Sequence, residues 1–176
     1  MSAALLVIDV QQALCFGAHA AFESERVIER INLLGARARL HGAPVIMIQH
    51  EDAGMLARGS EGWALARGLV VEASDLVMPK TATDSFHQTA LQAELAARGV
   101  TRLVICGLQS DFCVDTTTRR ALALGFEVTL VADAHSTCDN DVLSAAQITA
   151  HHTATLANIE SFGPRATPQA AAQVQF

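Results

Sequence analysis

"VICGLQSDFCVDTTTRRALALG", residues 104 to 125, opens apolar, breaks at a glycine, turns polar around one cysteine and ends in a helical pattern. Leu103 to Cys106 reads as a strand closed by Gly107, and beyond Val114 the residues Ala121, Leu122 and Leu124 fall on one side of a helix. Cys113 therefore stands in a strand-to-helix turn. A helix N-terminus, with exposed N–H groups and partial positive charge, favours a thiolate there. The alternative is a small buried hydrophobe. An acid and a cation brought to the same place would decide for the first.

Outward from this unit, strand and helix signals alternate along the whole chain. Further strands read over residues 3–9, "PVIMIQH" (44–50), "DLVMPK" (75–80) and "EVTLVADA" (127–134). Helical spacing appears over 26–42, 89–99 and 141–158, the first two closing near Gly42 and Gly99. Strands apolar on both faces and separated by helices belong to a parallel sheet covered on both sides. The expected fold is a three-layer α/β/α sandwich: one domain over residues 1–162, with a loosely held tail, 163–176, that contains two prolines. The glycine-rich connection over 51–72 has no clean period, as in a lid or pocket wall.

With 176 residues, 51% of them hydrophobic, the chain is long enough for one domain with a sizeable core. A net charge of −6 without any Lys/Arg run argues against a nucleic-acid or anionic-membrane partner, and none is expected. The opening segment has no cationic flank and is interrupted by Asp9, so neither a signal peptide nor an anchor is expected. Cysteines 15, 106, 113 and 138 show no C-x-x-C spacing, which fits a reduced, cytoplasmic location.

In an open parallel sheet, ligands bind at the carboxyl ends of the strands. That edge collects Asp9, His50, Lys80, the Cys113 turn and Asp133 from strands one to five. Taken singly, Asp9 reads as a cap, Lys80 as a solvated charge and Cys113 as packing. Together an acid, a cation and a thiol supply base, electrostatic activator and nucleophile, the parts of a thiol hydrolase.

"LLVIDVQQAL" around Asp9, "MPKTATDSF" around Lys80 and "GLQSDFCVDTTTRRALALG" around Cys113 resemble, in this order, the three signature segments of the isochorismatase-like cysteine hydrolases. The resemblance implies a flavodoxin-like sheet and an Asp9–Lys80–Cys113 triad that hydrolyses a small amide through a thioester. It implies a non-proline cis peptide between Leu108 and Gln109, with an oxyanion hole formed by the N–H groups of Gln109 and Cys113. It also implies at least a dimer, and no cofactor. Phe16, Trp63 and Phe112 are candidate pocket walls, with ordinary core packing the alternative.

Nicotinamidases of this family carry Asp-x-His after strand two and bind a metal. Here the segment reads "IQHEDAG", so the spacing is absent and His50 reads as a hydrogen-bonding pocket residue rather than a metal ligand. Isochorismatases proper cleave a vinyl ether by protonation and lack the cysteine that this chain keeps. A phosphoacceptor receiver, the non-enzymatic alternative, needs an acidic pair after strand one and an aspartate ending strand three. "IDVQQ" and "MPKT" stand at those places instead.

Overall fold

The computed structural model describes residues 2–176. In chain order the elements are β1 (Ser2–Ile8), α1 (Gln12–Cys15), α2 (Ser24–Leu40), β2 (Val45–His50), β3 (Leu76–Lys80), α3 (Leu91–Ala97), β4 (Val100–Leu108), a π-helical turn (Ser110–Val114) running into α4 (Asp115–Ala123), β5 (Glu127–Ser136), α5 (Ala145–Ala157), β6 (Ala166–Gln169) and a 3₁₀ turn (Ala171–Gln173). All six strands pair in parallel, in the order β3-β2-β1-β4-β5-β6. No helix among the described residues is long and apolar enough to cross a membrane.

The continuous apolar runs of the central strands divide by alternation between two cores. Leu6, Ile8, Ile46, Ile48, Leu103 and Ile105 face one side, with Leu91, Leu95, Ala121, Leu122 and Leu156 from α3, α4 and α5 packed on them. Leu5, Val7, Val45, Met47, Val104 and Cys106 face the other, where α2 contributes Val27, Ile28, Ile31 and Leu34. Right-handed crossovers explain the uneven cover. Connections moving from β1 towards β3 pass over the α2 face, and those moving from β3 towards β6 pass over the opposite one.

A single long helix leaves part of the α2 face open, and the residues after 162 close it. The tail, expected to be loosely held, instead adds β6 to the sheet beside β5 and buries Ala171 and Val174 against α2. Arg37 of α2 donates to the carbonyls of Ala171 and Val174 at 3.0 and 2.6 Å, and Asp133 Oδ1 accepts from the Ala171 N–H at 2.7 Å. Both prolines that fall in strands, Pro79 and Pro168, lie on edge strands, where a missing N–H breaks no central ladder.

Gly107 fixes how close β1 and β4 approach at the end of the sheet. Its φ is +113°, and a Cβ built there would stand 2.1 Å from the Ile8 carbonyl oxygen. This is the point where strand order reverses, and the crevice opens outside it.

Candidate active site

Asp9 follows β1 in the left-handed region, at φ +51°, a conformation that aspartate tolerates better than most residues. From there its carboxylate is buried at the strand ends. Lys80, last in β3, reaches across β2 to it. Lys80 Nζ donates to Asp9 Oδ2 at 2.7 Å, to Cys113 Sγ at 3.2 Å and to the Ala82 carbonyl at 3.0 Å, and lies 3.1 Å from His50 Nδ1. An ammonium has three N–H groups and no lone pair, so a proton on His50 Nδ1 would face a donor; the neutral ring carries its proton on Nε2, and Nδ1 shares one of the three N–H groups. Burial and the Lys80 charge both hold the His50 pKa below its usual value.

Cys113 lies inside the π-helical turn rather than before the helix, so the helical region begins three residues ahead of it. The expected thiolate is not the resting state. Burial, reinforced by the Asp9 carboxylate, pushes the Cys113 thiol up to about 12, against the opposing pull of Lys80. Burial also raises Asp9, although Lys80 opposes it. Asp9 Oδ1 is buried without a hydrogen-bond partner. Burial thus favours a protonated Cys113 thiol beside the Asp9 carboxyl group, the two bridged by Lys80.

Asp9, His50, Gln109, Phe112 and Cys113 line one cavity of about 280 Å³ with Leu14, Asp52, Met55, Leu56 and Thr83. The Leu108–Gln109 peptide is cis. Three of the expected residues lie elsewhere. Phe16 faces a separate groove beneath the Arg67 guanidinium, which stacks 4.0 Å from its ring centroid. Trp63 takes part only through its backbone, its carbonyl accepting from Gln11 Nε2 at 2.9 Å and Gln49 Nε2 at 2.8 Å. Asp133 is drawn away to Arg30, 3.3 Å distant, and to the tail. Of the long 51–72 connection, only Asp52, Met55 and Leu56 reach the cavity.

Sequence reasoning misses Gln11, which clamps the site's second strand. Its amide accepts from the His50 N–H at 2.8 Å and donates to the His50 carbonyl at 2.9 Å, which fixes where the imidazole stands. The available signal is a polar residue, here fully buried, two positions beyond Asp9.

Behind the cysteine turn, Ser110 Oγ lies 2.8 Å from His135 Nδ1 and 3.1 Å from Thr149 Oγ1, and His135 Nε2 lies 3.1 Å from Thr153 Oγ1. Burial lowers His135 to about 4, so its ring is neutral at pH 7. As pH falls from about 6.5 towards 4, the unfolded ring gains a proton that the folded ring refuses, and stability is lost by roughly 1 kcal/mol per pH unit. Urea unfolding at pH 7, 6 and 5 should show wild type losing this stability relative to His135→Gln. A difference between the two proteins that stays constant with pH would contradict a buried neutral ring.

The donor atoms of Asp9, His50 and Cys113 lie within 4.8 Å of one another, a spacing a metal ion can use. Lys80 Nζ stands among them at hydrogen-bonding distance from all three, so a dication would have to displace the ammonium.

The sequence profile of the Isochorismatase domain matches residues 3–167. The chain belongs to the isochorismatase family. Within it, the chain is 44% identical over 138 residues to a streptothricin hydrolase of Streptomyces noursei, covering 77% of this chain and 50% of that protein. It is 31% identical over 196 residues to a ureidoacrylate amidohydrolase of Methylobacterium radiotolerans, covering 90% of this chain and 73% of that one. A crystal structure of an isochorismatase family protein superposes with a TM-score of 0.88 at 36% identity, covering 96% of this chain and 98% of the other. The chain spans about half the length of the streptothricin hydrolases it matches. The segments around Asp9, Lys80 and Cys113 meet in one buried cluster held by the Asp9–Lys80 ion pair.

Proposed function

We propose that this chain is a cysteine-dependent hydrolase of a small, non-peptide amide, with Asp9, Lys80 and Cys113 as its catalytic triad. The observation that carries the reading is Lys80 Nζ, which bridges Asp9 Oδ2 and Cys113 Sγ on the floor of a cavity sized for a small molecule. Similarity to proteins named as a streptothricin hydrolase and an amidohydrolase supports cleavage of a C–N bond.

A protonated resting thiol is the starting point of the proposed sequence. Because the thiol is protonated at rest, the Cys113 proton passes to Asp9 as Sγ attacks the substrate carbonyl carbon. The oxyanion is received by the N–H groups of Gln109 and Cys113. Asp9 then gives its proton to the leaving nitrogen, the C–N bond breaks and the amine departs. Water, deprotonated by Asp9, attacks the thioester. The C–S bond breaks, the acid leaves and the proton returns to sulfur. Lys80 stabilises whichever partner is anionic, first Asp9 and then the developing thiolate. His50, neutral with its proton on Nε2, is a donor for substrate. The free cysteines suit a reducing, cytoplasmic setting.

The test is a screen of primary amides, carbamoyl amides and lactams, with amine release measured and acid-quenched protein weighed by mass spectrometry. We expect an acyl adduct on the peptide holding Cys113, and turnover that survives extensive chelation. Stoichiometric metal lost together with activity, or turnover persisting in Cys113→Ser, would overturn the proposal.

A further inference from the structure

The charge of the cavity deepens this reading and rests on it. Among the described residues, no lysine or arginine lines the cavity. Lys80 lies beneath the floor with its three N–H groups shared among Asp9, Cys113, Ala82 and His50. Arg58, on the same connection as Asp52, lies against Glu51 at 3.7 Å. His50 is neutral, because protonating Nδ1 would set two donors face to face. Besides Asp9, one carboxylate lies on the wall, that of the exposed Asp52. Asp52 Oδ1 accepts from the N–H groups of Gly54 and Leu56 at 2.7 and 2.9 Å, which fixes the carboxylate while Oδ2 makes no hydrogen bond or ion pair among the described residues. Deeper in the same cavity, Asp9 Oδ1 is buried and unpartnered.

We infer that the cavity selects amides bearing a cationic group, an ammonium or guanidinium, with Asp52 Oδ2 as its counter-charge, and that it discriminates against anionic amides. Leu14, Met55, Leu56 and Phe112 supply the apolar part of the wall beside His50, Thr83 and Gln109, and Asp52, Met55 and Phe112 stand exposed at its mouth, so Asp52 acts on a charge that is still partly solvated. A carboxylate in the same place would meet Asp52 with no cation to offset it, a repulsion that serves selectivity as directly as the attraction does. The Asp9–Lys80 pair balances itself, which leaves Asp52 to set the sign of the field.

Three primary amides of similar length separate the outcomes: 4-aminobutanamide (cationic), pentanamide (neutral) and succinamate (anionic). In wild type, kcat/KM from ammonia release should favour the cation over the neutral amide by about threefold, the scale of a solvent-exposed ion pair, and disfavour the anion comparably. Asp52→Asn keeps the acceptor for Gly54 and Leu56 and removes the charge, so the cation-to-neutral ratio should fall towards one. Raising the salt should shrink the wild-type ratio without any substitution. A wild-type ratio of one, or a ratio unmoved by both Asp52→Asn and salt, overturns the inference. Dissociation constants of the three amides on Cys113→Ala protein, which cannot form the thioester, keep the two claims apart. Charge-ordered binding without turnover in wild type would refute the amidase reading alone, and turnover without charge order would refute the cation subsite alone.

Discussion

Cys113→Ser is expected to lower amide turnover by about 10⁴-fold or more, the scale seen when a nucleophile that works as part of a unit is removed. The hydroxyl can still accept from Lys80 Nζ in place of the sulfur, and the side chain keeps its shape in the π-helical turn, so thermal unfolding should move by only a few degrees. Loss of activity with retained stability separates a nucleophile from a packing residue. A packing cysteine would show the reverse pattern. Alkylation of the resting protein at neutral pH is a poorer test than the sequence suggests. Cys15 and Cys106 are buried, burial raises the Cys113 thiol to about 12, and Cys138 alone is partly exposed. Cys138 therefore takes reagent first, and only peptide-resolved labelling reports on Cys113.

Asp9, Lys80 and Cys113 are legible in the sequence because Asp9 and Lys80 close strand-length apolar runs and Cys113 stands in the turn just after a third, and parallel strands bring their carboxyl ends to one edge. The same rule misplaces Asp133. Pairing of β4 with β5 runs from Ile105↔Leu130 to Gly107↔His135, so β5 advances five residues while β4 advances two. This irregularity carries Asp133 off the edge and puts His135 and Ser136 opposite Gly107 and Leu108 instead. No spacing in "EVTLVADAHS" announces it, although three successive buried polar residues, His135, Ser136 and Thr137, are a trace of the network behind the cysteine.

The tail misleads for a different reason. Its prolines and small residues give no hydrophobic run, yet an edge strand tolerates Pro168, and alanine and valine suffice to finish a face that α2 leaves open. Phe16 and Trp63 show the limit of proximity as an argument. Both are near site residues in sequence, but where a loop residue ends up is set by neighbours that arrive from elsewhere in the chain, Arg67 over the Phe16 ring and Gln49 on the Trp63 carbonyl.

Asp9→Asn and Lys80→Met should move two observables in a pattern that no solvated or merely structural role would give. Asp9→Asn keeps the shape and removes the base, so acylation and thioester breakdown should both slow by about a hundredfold or more. The same change removes a negative charge that helps raise the Cys113 thiol and leaves Lys80 acting on the sulfur alone, so the Cys113 pKa falls. At fixed pH the Asp9→Asn protein should therefore alkylate faster at Cys113 while turning over more slowly. Lys80→Met keeps the stem and removes the one cation that lowers both Asp9 and Cys113, so both pKa values rise. Alkylation and turnover then decline together, and Lys80→Arg should recover part of each. Peptide-resolved iodoacetamide rates at Cys113, measured from pH 6 to 10 beside kcat, read both observables. If the two substitutions shift the alkylation profile in the same direction, the acid and the cation do not act in opposition on the sulfur, and the triad assignment fails.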